Sequence, residues 1–373
     1  MRNCPICLNL LENIIHIIDI QLCLVNDINL NDKLNIKLCK DCNFYFTDSN
    51  NTQEEYNNYY LNFNNYLEQN YCLDKDIKCE EFINKNIDKN EVKTIIDYGS
   101  GNGILADLLQ KNFIVEKFDI GMKLNNKKYD LLILSHVLEH IYDLAGFINK
   151  ISENINDNGL LYIEVPNADF YEEFINICPL QEINIEHINF FSKYSLNNLL
   201  IKNNFYCVNL QDDYFILKDS KYFVIRGIFK KVINIIEIKH STDFIFKEKS
   251  YNSNGNLSSF EKYINRGLIY IDKYNFSYLK KYENIYIYGC GQLLFKIFNR
   301  IQNNCIIINI IDDNPCYFNK KINDINIINY DIFKELCKDG DNILLTTVIH
   351  DLIIKDKLLL INKKLNIINI SDL

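Results

Sequence analysis

Two close pairs of cysteines are the sharpest chemical signal in the chain. Cys4-Pro5-Ile6-Cys7 and Cys39-Lys40-Asp41-Cys42 are knuckles. Each can place two thiolates on one side of a tight turn, which suits a tetrahedral zinc ion. A site filled by four thiolates is closed, so its metal would be structural, and iron also occupies such sites. A second group is Glu186-His187, ahead of Ile188-Asn189-Phe190-Phe191-Ser192. A neutral imidazole near pH 7 can take a proton from a substrate, and His187 and His140 are two of only six histidines. The third group is Gly99, Gly101 and Gly103, directly behind Asp97. Without Cβ atoms this loop can take positive φ and let a ligand lie against its backbone.

Strands and helices must carry these groups to one place. Thr94-Ile95-Ile96-Asp97 is a β-branched run, and the pattern turns helical from Ile104 to Leu109, so the glycines join the first strand and helix of a Rossmann-type unit. The spacing is G-x-G-x-G and not the G-x-G-x-x-G that cradles a pyrophosphate. A second strand over residues 113–119 ends in Asp119. A buried strand over 129–135 ends in Ser135, and His136-Val137-Leu138-Glu139-His140 follows where strand end meets helix. Carboxyl ends of parallel strands are where such folds bind ligands. Residues 159–167 form the next strand, stopped by Pro166. Ser192 can cap a helix from Tyr194 onward. Residues 205–210 and 221–227 read as a hairpin that closes the sheet.

The remaining segments set the domain organisation. At 373 residues and 48% hydrophobic content the chain can bury two or three cores. We expect a zinc-binding module over 1–50, a Tyr- and Asn-rich helical connector over 51–90, a core over 91–228, a helical linker over 229–280 and a Rossmann-like domain over 281–373. A hairpin over residues 25–38 can bring the two knuckles together. The tract over 50–71 is either a solvated linker or a row of tyrosines lining a substrate cleft, and residues 74–89 read as a helix. In the last domain Tyr288-Gly289-Cys290-Gly291 repeats a strand and turn, but Leu294 stands at the third fingerprint position, so a substrate-side or structural role is favoured over dinucleotide binding. The net charge of −9 gives no basic footprint for nucleic acid. No long uncharged apolar run suggests a membrane span and no signal-peptide core precedes the first cysteines, so a cytoplasmic protein with reduced cysteines is expected.

The glycine loop, "SHVLEH" and "GLLYIEVPN" together resemble class I methyltransferases that use S-adenosylmethionine. The resemblance implies that Asp97, Gly99, Gly101, Gly103, Asp119 and Ser135 form the cofactor site, with Asp119 on the ribose hydroxyls. With the four cysteines and the C-terminal unit, the whole chain resembles three-part sugar C-methyltransferases acting on nucleotide-linked deoxy-keto sugars in surface-glycan or secondary-metabolite biosynthesis. In that family a base takes the proton alpha to the ketone, and the enolate attacks the methyl group. Glu186 and His187 fall on the family's Glu-His pair, His140 on its histidine after the fourth strand, and Tyr60 on a tyrosine behind the zinc module. The family often writes Tyr-His-Glu-His where this chain has Asn184 and Ile185 before the pair. Methyltransferases of glycan clusters that modify hydroxyls or amines carry a similar stretch, which makes sugar O- or N-methylation the alternative. Intact Gly99, Gly101, Gly103 and Asp119 argue against a non-catalytic binding protein built on a relic core.

Overall fold

The computed structural model describes residues 2–20, 23–24, 33–61, 72–124, 126–173, 179–217, 220–232, 258–347 and 350–373. Two compact units are present. One comprises Met1–His16, Asn35–Ile175 and Glu186–Phe260, the other Ile17–Leu34, Asn176–Ile185 and Glu261–Leu373.

The strands of the N-terminal region are β1 (Ile14–Asp19), β2 (Cys23–Leu24), β3 (Lys33–Cys39) and β4 (Phe44–Asp48). In the first unit they are followed by α1 (Gln53–Leu61), α2 (Leu73–Asn86), β5 (Thr94–Tyr98), α3 (Ile104–Leu109), β6 (Ile114–Phe118), β7 (Tyr129–Ser135), α4 (Leu144–Ser152) and β8 (Ile155–Pro166). Then come β9 (Asn189–Phe190), α5 (Lys193–Lys202), β10 (Phe205–Leu217) and β11 (Ser220–Lys231). The main sheet has the order β10-β11-β8-β7-β5-β6. Its β6, β5, β7 and β8 run parallel, while β11 is antiparallel to β8 and to β10.

Burial follows the sequence pattern. Ile95 and Ile96 of β5 and Leu131 to Leu134 of β7 are fully buried, as continuous apolar runs are when helices cover both faces of a sheet. The edge strand β6 instead leaves Ile114 exposed. From β5 the chain goes outward to β6 and then returns past β5 to β7. The reversal leaves a crevice beyond the carboxyl ends of β5 and β7, the place where doubly wound sheets take ligands. Ser192 caps α5 as expected, in a reciprocal box: its hydroxyl accepts from Ser195 N at 3.1 Å, and Ser195 Oγ accepts from Ser192 N at 2.9 Å. A short second sheet contributes to the same unit, with Tyr45 and Phe46 of β4 opposite Phe190 and Asn189 of β9.

The second unit continues with α6 (Ser259–Asp272), β12 (Asn284–Tyr288), α7 (Gln292–Gln302), β13 (Ile306–Ile311), β14 (Lys321–Ile322), β15 (Ile325–Ile328), α8 (Tyr330–Leu336), β16 (Asn342–Leu345), α9 (Asp351–Ile361) and β17 (Asn366–Asn369). Its sheet order is β17-β16-β12-β13-β15-β14-β2. Leu294 is fully buried in α7, so its side chain belongs to the core of this unit.

Several boundaries differ from those expected. The first 50 residues do not stay together, because residues 17–34 cluster with the second unit, where β2 pairs with β14. Most of the expected hairpin over 25–38 lies outside the described residues. The strand expected at 159 starts four residues earlier, since Tyr129 of β7 already pairs with Ile155. The expected helical linker begins as strand, because Lys231 still has Phe205 of β10 opposite it. Residues 62–71 of the tyrosine tract and 233–257 of the linker lie outside the described residues.

One cross-strand pair in this sheet is ionic. Arg226 of β11 stands opposite Glu164 of β8, and its Nε donates to Glu164 Oε2 at 2.5 Å with both side chains fully buried. Removing one partner strands the other charge in the core, which costs about 3–5 kcal/mol. Arg226→Met is therefore expected to lose about that much in a urea titration, and the double variant with Glu164→Gln to recover part of it. A single-variant loss below about 1 kcal/mol would contradict the buried pair.

Candidate active site

The glycine loop forms a backbone cradle at the end of β5. Gly99, Gly101 and Gly103 have φ of 81°, 52° and 75°, in the left-handed region that disfavours side chains. A Cβ on Gly99 would meet Val137 Cγ2 at 2.7 Å, and one on Gly103 would meet Lys117 Nζ at 2.5 Å. Asp119, just beyond β6, turns to this loop and accepts from Gly101 N at 2.8 Å and from Ile120 N at 2.7 Å. Asp97 lies beneath the loop at the end of β5 and is 3% exposed. The Ser135 hydroxyl faces Glu164 Oε1 at 3.4 Å. All six expected cofactor-side residues therefore sit on loops or strand ends at the crevice.

The expected acid–base residues also converge. His140 Nδ1 lies 2.9 Å from the Glu186 carbonyl oxygen and 3.0 Å from Tyr60 Oη. The His140 and His187 rings meet edge to face with centroids 5.0 Å apart. Tyr59, which the sequence did not single out, donates to Glu186 Oε1 at 2.9 Å. Tyr59 and Tyr60 of α1 contact this polar cluster, while residues 62–71 of the tract lie outside the described residues. Backbone contacts hold the segments in place. Ile188 N donates to Glu139 O at 2.9 Å, and Asn189 Nδ2 donates to Leu138 O at 2.8 Å and Ile141 O at 2.7 Å. Burial pushes the His140 imidazole down to about 4, so it is neutral at pH 7 and can accept a proton.

A charged layer beneath the cluster was missed. His136, with a φ of 54°, lies 3.0 Å from Glu139 through Nδ1 and 3.1 Å from Glu164 through Nε2. Burial opposes charge on this imidazole, but the two carboxylates prevail and raise it to about 9. Burial likewise opposes charge on Glu139, yet the contact with His136 holds it down to about 2. The i, i+3 spacing of His136 and Glu139 was visible in "SHVLEH", whereas Glu164 meets them only through strand pairing.

The four cysteines are brought together. One sulfur from each lies within 4.8 Å of the others, and Cys7 Sγ is 3.6 Å from Cys39 Sγ. Sulfurs bound to one zinc ion at 2.3 Å stand roughly 3.8 Å apart, so the spacing fits a tetrahedral metal. The contact with Cys42 lowers the Cys4 thiol to about 5, and burial pushes Cys39 up to about 12. Four adjacent thiolates are thus disfavoured unless a cation compensates them. Among the described cysteines none forms a disulfide.

Residues 73–210, which span α2 to the first part of β10, match the family described as a methyltransferase domain. The chain carries a methyltransferase domain over these residues. None of the curated proteins matches the chain. Solved structures with similarity include a methyltransferase dependent on S-adenosylmethionine from Methanosarcina mazei, 11% identical, with 41% of this chain and 98% of that one covered at a TM-score of 0.34. Another is the 1,6-didemethyltoxoflavin-N1-methyltransferase of Burkholderia thailandensis, 11% identical, with 51% and 96% covered at a TM-score of 0.38. A third, from Archaeoglobus fulgidus, is 15% identical, with 42% and 92% covered at a TM-score of 0.33. The domain match carries the assignment. Among the described residues no helix is long and apolar enough to cross a membrane.

Within the methyltransferase domain Asp97 has an unusual titration. Burial pushes its carboxyl up to about 7 from 3.8. Between those values the folded chain keeps a proton that the unfolded chain has released. Its contribution is therefore complete below pH 3.8 and lost as pH rises through 7, an effect bounded by about 4 kcal/mol. Asp97→Asn cannot ionise, so its melting temperature is expected to exceed that of the wild type at pH 8 and to match it at pH 4. Equal melting temperatures at pH 8 would contradict the upward shift of this buried carboxyl.

Proposed function

We propose that this methyltransferase uses S-adenosylmethionine to methylate a nucleotide-linked deoxy-keto sugar, with a ring carbon as acceptor. One observation supports the acceptor side: Glu186, His187, His140 and Tyr60, taken from three separate parts of the chain, meet beside the turn after β7, whose Val137 lies over Gly99. Bound at Asp97, Gly99, Gly101, Gly103, Asp119 and Ser135, the cofactor would supply an electrophilic methyl group. The cradle fits it because side chains are excluded from the loop and Asp119 can exchange its bond to Gly101 N for ribose hydroxyls. The four-cysteine set would hold a structural zinc ion.

Glu186 and His187 are the two bases on this side of the site. A carboxylate held by Tyr59 and an imidazole beside the neutral His140 can remove a proton alpha to a ketone, and the tyrosine hydroxyls can steady the charge that builds on the ketone oxygen. The missing tyrosine before Glu186 is offset by Tyr59 and Tyr60, which bring phenol groups from α1. Methylation of a sugar oxygen or nitrogen would use the same bases on a more acidic proton, and a carbohydrate-pathway role is common to both.

A transfer assay with labelled S-adenosylmethionine and nucleotide-linked sugars, with and without a 4-keto group, tests this. The expected product carries a methyl on ring carbon and forms only from keto sugars. A methyl on oxygen or nitrogen would favour the alternative, and no transfer to any sugar would overturn the acceptor class. With the accepted substrate, His187→Ala is expected to reduce turnover roughly 10²- to 10⁴-fold while cofactor affinity stays near wild type. Weak cofactor binding in that variant would give His187 a structural role instead.

A further inference from the structure

We propose that Glu139, His140 and His187 form a second metal site, distinct from the four cysteines, for a transition-metal dication of the zinc, manganese or iron(II) class. One donor atom from each lies within 4.8 Å of the other two, and His140 Nε2 is 3.9 Å from Glu139 Oε1. Donors bound to one ion at about 2.1 Å stand roughly 3.0–3.4 Å apart, so the set needs to close by at most about 1.8 Å. Two imidazoles with one carboxylate suit these ions and leave coordination positions open.

Two independent features point the donors at a cation. First, the Nδ1 edge of His140 faces the Glu186 carbonyl at 2.9 Å. An Nδ1–H donated there leaves the lone pair on Nε2, which is how a metal-bound histidine is held by its outer partner. Second, Glu139 is 1% exposed, and among the described residues neither of its oxygens accepts a well-formed hydrogen bond. The His136 imidazolium lies 3.0 Å from Oε1, but it is shared with Glu164 and so compensates this carboxylate only in part. A carboxylate so deeply buried is costly unless a cation or strong donors compensate it. An ion shared with His140 and His187 does so, while His136 keeps its place between Glu139 and Glu164.

The scaffold is fixed well enough to hold an ion. Ile188 N donates to Glu139 O, tying the residue after His187 to the turn that carries Glu139 and His140. The ion's role, though not its binding, rests on the acceptor-side reading. Its open positions would face the rim made by Tyr60 and Glu186, where an acceptor oxygen could bind and become more acidic or more polarised. With the ion bound, His187 is a ligand in place of the base named above, proton removal falls to Glu186, and the turnover loss in His187→Ala reports loss of the ion.

The test is metal stoichiometry on the full chain, loaded with zinc and then with cobalt(II) and freed of loosely bound ion. Elemental analysis would compare wild type, His187→Ala, Glu139→Gln and Cys39→Ser, with binding of S-adenosylhomocysteine as the check on folding. We expect His187→Ala and Glu139→Gln each to hold one ion fewer than wild type, and Cys39→Ser to keep that ion. The cobalt lost from His187→Ala should show visible bands without thiolate charge transfer. Equal ion counts in wild type and a folded His187→Ala would overturn the site, as would a lost ion with thiolate bands. If the ion behaves as expected but no sugar is methylated, the metal site stands and only the acceptor assignment falls.

Discussion

The arrangement of the crevice depends on one buried carboxylate. Glu164, fully buried at the end of β8, accepts from Arg226 Nε at 2.5 Å and from Cys79 Sγ at 3.1 Å, and lies 3.1 Å from His136 Nε2. Such a charge survives in a core only when fixed partners replace its water. Here they draw together α2, the end of β7 and the hairpin strand β11. The result is a line of alternating charge, Glu139, His136, Glu164, Arg226 and Asp213, running under the carboxyl ends of the strands. It holds the "SHVLEH" turn in a strained backbone form, with His136 at positive φ, and so sets where Glu139 and His140 point.

A second tie reaches the same turn from the N-terminus. Arg2 is nearly buried and donates to Tyr142 O at 2.5 Å, Asn189 Oδ1 at 2.8 Å and Ile188 O at 3.1 Å. Its guanidinium also lies 4.8 Å from the centre of the Tyr142 ring. Two residues later the chain enters the first cysteine knuckle. A metal held by Cys4 would also fix the root of Arg2, which bonds to the two segments that carry His140 and His187. A metal with no chemistry of its own can still shape an active site in this way.

Much of this was legible because the determining interactions are local in sequence. The glycine loop, the strand ends at Asp97, Asp119 and Ser135, the Ser192 cap and the cysteine knuckles are each set by residues a few positions apart. Tyr59 was hidden because α1 lies in a tract of repeated Asn and Tyr with little helical periodicity, so only the fold shows which phenol groups turn to Glu186. Arg226 and Glu164 are 62 residues apart and meet through strand register. A charged residue within a strand pattern otherwise reads as solvent-facing. The division of the first 50 residues between two units was invisible for the same reason, since β2 finds its partner in β14.

We propose above all that the loop behind β5, with Asp119, cradles the cofactor. Calorimetric titration of S-adenosylhomocysteine into the wild type and Asp119→Ala tests it most directly. One site per chain in the wild type, with affinity at least about tenfold weaker in a variant that still folds, is the predicted result; tenfold corresponds to about 1.4 kcal/mol. No binding to the wild type, or equal affinity in the two proteins, would contradict it.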